Sequence, residues 1–162
     1  PDSNSFEILS TPKAELIKEW PFFARPFKNV NKVIGLSPVK DHNLSQASIS
    51  LKNWYGLLGG PRNQFHQDIH TIISDLAIMI KPTLTIIDGS RILMRNGPTG
   101  GDPAYVENSD ILVSGTDAVG MDTWAFLNLL KREEKRLPQY LLKSQQKGAG
   151  KMDFNGHLKE VL

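Results

Sequence analysis

Two neighbouring stretches concentrate the side chains that do chemistry. "SPVKDH" delivers Lys40 and His42, and "SLKNWYGLLGGPRNQFHQDIH" follows with Lys52, Asn53, the glycines Gly56, Gly59 and Gly60, then His66 and His70. Lysine ammonium, histidine N–H and asparagine amide groups are the donors that hold a small anion. Lys52 ends an alternating run, Ala47 to Lys52, that reads as a half-buried strand. An unpaired ammonium is costly there, so a carboxylate or a bound anion is expected beside it. The plainer reading is a surface lysine closing an edge strand. His66 and His70 are one helical turn apart on a helix, which puts both on one side, where they can share a divalent metal. No glutamate separates them as in a metalloprotease helix, and no third ligand is fixed by spacing, so a solvated pair is the competing reading.

The carboxylates come later. Asp88 closes "TLTIIDG", Asp117 follows "ILVSGT", and Asp122 sits inside the apolar "AVGMDTWAFLNLL". Each is a candidate for metal or general-base work, while Asp117 also suits a helix N-cap. Asp122 has little exposed helix face available, so it needs a counter-charge, and Lys52 is the expected one. In "NGPTGG", Asn96, Gly97 and Gly100 can form a backbone nest for an anion or serve as a plain turn; the stretch matches neither a dinucleotide fingerprint nor a phosphate loop. The catalytic candidates are therefore Lys52, Asp88 and Asp122. The ligand-binding candidates are Lys40, His42, Asn53, His66, Asn96, Gly97, Gly100 and Asp117.

The elements that must position them follow from periodicity. Pro12 to Trp20 reads as a short amphipathic helix, followed by a loop at Pro21 and Pro26 whose aromatic neighbours pack against something. Asn31 to Leu36 reads as a buried strand ended by Pro38, and Ala47 to Lys52 as a second strand. Phe65, Ile69, Ile72, Ile73, Leu76 and Ile80 form one stripe, which predicts a helix over Arg62 to Ile80. "TLTIIDG" predicts a strand ending at Asp88, and Asp110 to Ser114 another, before a helix from Asp117 to about Leu130. The tail from Lys131 to Lys147 reads as a solvated helix, "KREEKR" being its mixed-charge face; "KGAG" breaks it, and a small terminal element follows. The order predicts an α/β fold, layered, with a mainly parallel or mixed sheet and helices packed on it. Residues 1–162 are taken as one α/β domain.

Composition narrows the classes. The chain has 162 residues, 40% of them hydrophobic, and a formal charge of only +2 with both signs interspersed, so no nucleic-acid surface is expected. With no cysteine, the chain supplies no disulfide, no thiolate nucleophile and none of the usual iron–sulfur ligands. The longest apolar runs, Leu76 to Ile80 and Ala125 to Leu130, fall far short of the roughly 20 residues of a membrane span. The chain begins at Pro1, which raises the expectation of further sequence upstream.

Three blocks carry a resemblance. "GLSPVKDHNLSQASISLKNWYGLLGG", "TLTIIDGSRILMRNGPTGGDP" and "ILVSGTDAVGMDTWA", spanning Gly35 to Ala125, resemble in residues and order the bacterial and archaeal domain-of-unknown-function 362 family. That resemblance implies a longer protein with an α/β portion upstream, of which this chain is the C-terminal part. It also implies an association with ferredoxin-like iron–sulfur modules, and either a cytoplasmic location or a periplasmic one reached by an export signal. It lends no reaction.

Ligands of open α/β sheets collect beyond the carboxyl ends of strands. Lys52, His42, Asp88 and Asp122 are therefore expected to converge there, with His66 at the rim and Asp117 on the same edge. The expected function is a polar crevice for a small anion or a divalent metal. The alternative is a non-catalytic module docking an upstream domain, an iron–sulfur protein or another redox partner, through apolar surface left by Trp20, Phe22 and Phe23.

Overall fold

A computed structural model describes residues 5–100 and 102–154. The small terminal element expected at the chain end, and Gly101 of the glycine-rich loop, lie outside the described residues. The fold is α/β. A four-stranded mixed sheet has the order β4-β3-β5-β6, formed by β3 (Ile34–His42), β4 (Gln46–Ser48), β5 (Leu84–Leu93) and β6 (Val106–Gly115). Only β3 and β5 are parallel; β4 and β6 run antiparallel to their neighbours. A separate antiparallel hairpin joins β1 (Phe6–Ser10) to β2 (Glu19–Phe23). The strands expected at Asn31, Thr83 and Asp110 thus share one sheet, each longer than its local pattern announced.

Pro38 does not end β3. The side-chain amide of Asn53 donates to the Leu36 carbonyl at 3.0 Å, so the backbone at Leu36 faces away from β5. Two residues on, Pro38 faces the same way, and β4 pairs with β3 only at Lys40 to His42. Proline's missing N–H therefore falls on a free stretch of strand edge and breaks no ladder bond.

The helices differ from expectation in instructive ways. Residues 12–18 form the loop between β1 and β2, because the Asp75 carboxylate captures the amides of Glu15 and Leu16, the latter at 2.7 Å. The run at Ala47 stops being a strand after Ser48 and turns into the single helical turn α1 (Ser50–Asn53). The predicted Arg62–Ile80 helix is divided. Arg62–Asp68 is a 3-10 helix, and Asp68 then caps α2 (Ile69–Met79) by accepting from the Thr71 amide at 3.3 Å. α3 (Ala118–Asn128) starts at Asp117 as predicted. The tail is not one helix, and while five of the six residues of "KREEKR" are exposed as expected, one face of its second half is buried. A 3-10 turn at Glu134–Arg136 precedes α4 (Gln139–Gln146), whose Tyr140 and Leu141 are fully buried.

Two apolar cores result. Ile17, Leu58, Ile72, Ile73, Leu76, Tyr140 and Leu141 join the hairpin loop, α2 and α4. Val39, Ile49, Ile87, Ile92, Phe126 and Leu130 join the sheet to α3. The aromatic segment packs against the body and itself, with Phe22 buried and Trp20, Phe23 and Phe27 half-buried: Trp20 meets Phe65 edge-on at 4.7 Å, Phe22 meets Phe27 at 5.1 Å, and Phe6 meets Phe23 at 5.5 Å. Gly59 permits the hairpin to dock, since a Cβ there would lie 2.7 Å from the Phe6 ring. Exposed apolar surface lies instead on the outer face of the sheet, at Ile34 (61% exposed), Leu36 (62%) and Leu112 (70%). This corrects the expectation that the aromatics would be left bare.

Candidate functional site

β3 delivers Lys40 and His42 at its carboxyl end, and α1 brings Lys52 and Asn53 beside them. His42 is buried, and its Nδ1 accepts from the amides of Leu44 at 3.1 Å and Ser45 at 3.3 Å. An imidazole that accepts at Nδ1 carries its proton on Nε2 and stays neutral. Burial first, then the charge of Lys52, pushes His42 down to about 4 from an ordinary 6.5. His66 and Lys40 act in the same direction, and Asp41 opposes them. Lys52 is also held below the usual lysine value, by burial and then by Lys40. His42 therefore lies within electrostatic reach of Lys40, Lys52 and His66, and Lys52 within that of Lys40.

No carboxylate answers that charge. Among the described residues, neither Lys52 nor Lys40 takes part in an ion pair. The Lys52 ammonium instead lies 5.6 Å from the centre of the Tyr55 ring, a cation–π distance. The Tyr55 hydroxyl donates to the Arg62 carbonyl at 2.5 Å and lies 3.2 Å from His66 Nδ1. Arg62 closes the turn by donating to the carbonyls of Gly56 and Leu58. The short helix α1, the turn after it and the 3-10 helix thus hold Lys52, Tyr55 and His66 in one place.

The expected partnership of Lys52 with Asp122 does not exist. Asp122 is fully buried and accepts from the Ser50 amide at 3.0 Å, from the Ser50 hydroxyl on the same oxygen, and from the Leu51 amide at 3.1 Å. Burial pushes its carboxyl up to about 7, against the pull of those three donors. Asp88 is also apart. β5 continues to Leu93, so Asp88 is mid-strand on the outer face, paired in register with Pro38 and Leu112. Its carboxylate accepts from the Ser90 hydroxyl at 2.6 Å and amide at 2.9 Å, which hold it below the ordinary value. The expected convergence of four residues thus reduces to Lys52 and His42, with Asp88 and Asp122 committed elsewhere.

Asp117 is at the other end of the sheet, because β6 is antiparallel: Gly115 pairs with Thr85, near the start of β5. There it caps α3 through the amides of Val119 and Gly120, both at 3.0 Å, and takes a further bond from the Lys151 amide at 2.9 Å. That end opens into the larger cleft, about 980 Å³, with walls including Val113, Met121 and Trp124. It is remote from the cations, and its one capping carboxylate is already satisfied.

The loop at Asn96 to Gly100 docks on the end of β3. The Gly97 amide donates to Asp41 at 3.2 Å, and its carbonyl accepts from the Asn43 amide at 3.3 Å. A Cβ on Gly97 would sit 1.7 Å from the Asp41 carbonyl oxygen, so only glycine fits. The Gly100 amide bonds the Asn96 carbonyl at 2.9 Å, so the Gly97 and Gly100 amides of the expected nest already have acceptors. His66 and His70 do not form a pair either. They fall on opposite sides of the Asp68 cap, and the His70 ring stacks on Tyr140 at 6.1 Å. Among the described residues, no three His, Cys, Asp or Glu side chains are grouped as metal ligands.

Sequence reasoning missed Asp41 and Arg132. Arg132 belongs to the "KREEKR" run read as a solvated face, yet it donates to Asp41 at 3.1 Å and to the Met94 carbonyl at 2.7 Å. Together with His42 and Gln46 these residues line a polar cleft of about 190 Å³. Two alternating positions apart from their partner by ninety residues leave no local signal for such a pair.

Among the described residues no helix is long and apolar enough to cross a membrane. No curated protein and no solved structure matches the chain. The model of the family described as a domain of unknown function, DUF362, matches residues 2–126, which take in the hairpin, the whole sheet and most of α3, and the chain belongs to that family.

Proposed function

We propose that the domain binds a small anion, a phosphate or carboxylate group, at the carboxyl end of β3 between Lys40, His42, Lys52 and His66. One observation carries the reading: two half-buried lysines, Lys52 held below the usual lysine value by burial and then by the charge of Lys40, with no ion pair at either among the described residues. A folded chain ordinarily neutralises a half-buried cation with a carboxylate, and a bound anion supplies the same compensation. His42 contributes a neutral Nε2–H donor, and Asn53 lies on the same turn as Lys52. The loop at Asn96, Gly97 and Gly100 supports this end of the strand by holding Asp41. A divalent metal is the weaker choice, because His66 and His70 face different neighbours. Docking of a redox partner is also weaker, since Trp20, Phe22 and Phe23, on which it rested, already pack against other rings of the chain.

Titration of inorganic phosphate into the chain, followed by amide NMR and calorimetry, tests the proposal. Saturable shifts at Lys40, His42 and Lys52 that weaken with added salt are expected, with binding lost in Lys52→Met and sharply reduced in Lys40→Met. Absence of saturable shifts at those three positions in the wild-type chain would overturn it.

A further inference from the structure

α1 is a single turn of four residues, far too short to hold its shape alone. No side chain of its own segment caps it. Its first two amides end on the carboxylate of Asp122, a residue of α3 lying 72 positions after Ser50, the Ser50 amide and hydroxyl on one oxygen and the Leu51 amide on the other. Its last residue, Asn53, donates to the Leu36 carbonyl of β3 at 3.0 Å. The turn is thus fixed at both ends, and Lys52 is the residue between. The Lys52 ammonium lies 5.6 Å from the centre of the Tyr55 ring and within electrostatic reach of Lys40 and His42, where both burial and like charge favour its release to water. Asp122 has no cation of its own among the described residues, so its burial is compensated only by the donors it holds.

We propose that Asp122 is a positioning residue for the anion site: by gripping Ser50 and Leu51 it holds α1 so that Lys52 stays in the cation cluster. The inference rests on the anion reading for its ligand, although its mechanical part concerns Lys52 alone. The groups that face Asp122 are the Ser50 and Leu51 donors of α1 and, from α4, the buried Tyr140 ring, whose hydroxyl its charge pushes further up. Asp122 touches no ligand in this scheme and acts only through the turn.

The test compares the wild-type chain with Asp122→Asn, Ser50→Ala and, as a control of similar burial remote from α1, Ser144→Ala. Two quantities are measured: affinity for inorganic phosphate, and the titration of the Lys52 ε-methylene by NMR. Asp122→Asn is expected to weaken phosphate binding about tenfold, the effect of losing one charged hydrogen-bond acceptor, and to return Lys52 toward an ordinary lysine value. Ser50→Ala should move both in the same direction by less, and Ser144→Ala should move neither. If Asp122→Asn fails to fold, Ser50→Ala decides. Unchanged phosphate affinity and unchanged Lys52 titration in the folded variants would overturn the inference. If the wild-type chain binds no phosphate, the anion reading falls, and the Lys52 titration still decides whether Asp122 positions the turn.

Discussion

Asp75 and Asp122 are both fully buried, and each captures two successive amides of a distant segment: Glu15 and Leu16 for one, Ser50 and Leu51 for the other. Their surroundings then part. Asp75 meets the Lys147 ammonium at 2.5 Å, and the same ammonium reaches Glu15 at 2.8 Å and the Ser74 hydroxyl at 2.8 Å. Among the described residues Asp122 meets no lysine, and Lys52, the partner expected for it from the sequence, meets no carboxylate. The difference teaches how to read a cation in a fold. Where the chain needs a withdrawn lysine for structure, as at Lys147 with 12% of its side chain exposed, it supplies full compensation. Lys52 and Lys40 take part in no ion pair among the described residues, and the proposed anion site rests on that contrast.

The largest expected effect breaks the paired region. Asp75→Ala should destabilise the chain by about 3–5 kcal/mol, because it strands Lys147 and unties the β1–β2 loop from α2 and α4. Chemical denaturation checks this, and a loss below about 1 kcal/mol would erase the contrast between the two aspartates. Phosphate binding by the folded fraction should be unchanged.

The next effect is acid sensitivity at the unpaired region. His42 has a folded value near 4 against 6.5 when unfolded, a depressed value. Its contribution is therefore fully present above 6.5 and is lost as pH falls toward and through 4. Its size is on the order of 3 kcal/mol from a shift of this extent. His42→Asn places an amide oxygen where Nδ1 accepts and does not titrate. The stability difference between wild type and this variant should change across pH 6.5 to 4, and a constant difference would remove His42 from the account. Asp122 carries the opposite sign, since its folded value is raised to about 7. What it contributes is present below the unfolded value of 3.8 and is lost as pH rises through about 7. Asp122→Asn should therefore gain on the wild type as pH is raised from 4 to 8.

The smallest effect sharpens the comparison. A lysine whose value is depressed on folding costs stability at neutral pH, so Lys52→Met should be neutral or stabilising by up to about 1 kcal/mol. Lys147→Met should instead be strongly destabilising, since it leaves Asp75 buried and unpaired. Thermal unfolding of the two variants side by side reads the contrast directly.

How much of this was legible in the sequence differs element by element. The stripe of Ile69, Ile72, Ile73 and Leu76 announced α2, and Asp117 announced the start of α3, because period and capping are local properties. The two misread elements share one cause. Residues 12–18 and Ser50 to Asn53 have patterns that suit a helix and a strand, but aspartates 59 to 72 positions away take their amides. A local pattern carries no trace of such an acceptor. The lysines and histidines of the site stood out by type and spacing, whereas Asp41 and Arg132, drawn together across 91 positions, did not.

The amino-acid sequence by itself determined the α/β class, the strands that share the sheet, the family and which donor-rich side chains stand as candidates, since these depend on composition, period and order along the chain. Only the tertiary structure decided which of them meet. The antiparallel direction of β6 sends Asp117 to the far end of the sheet, the Asp68 cap separates His66 from His70, and burial of Asp122 under α1 gives it amides in place of Lys52. Strand direction and long-range partners are set by how the cores close, and that is a property of the whole packed chain rather than of any stretch of it.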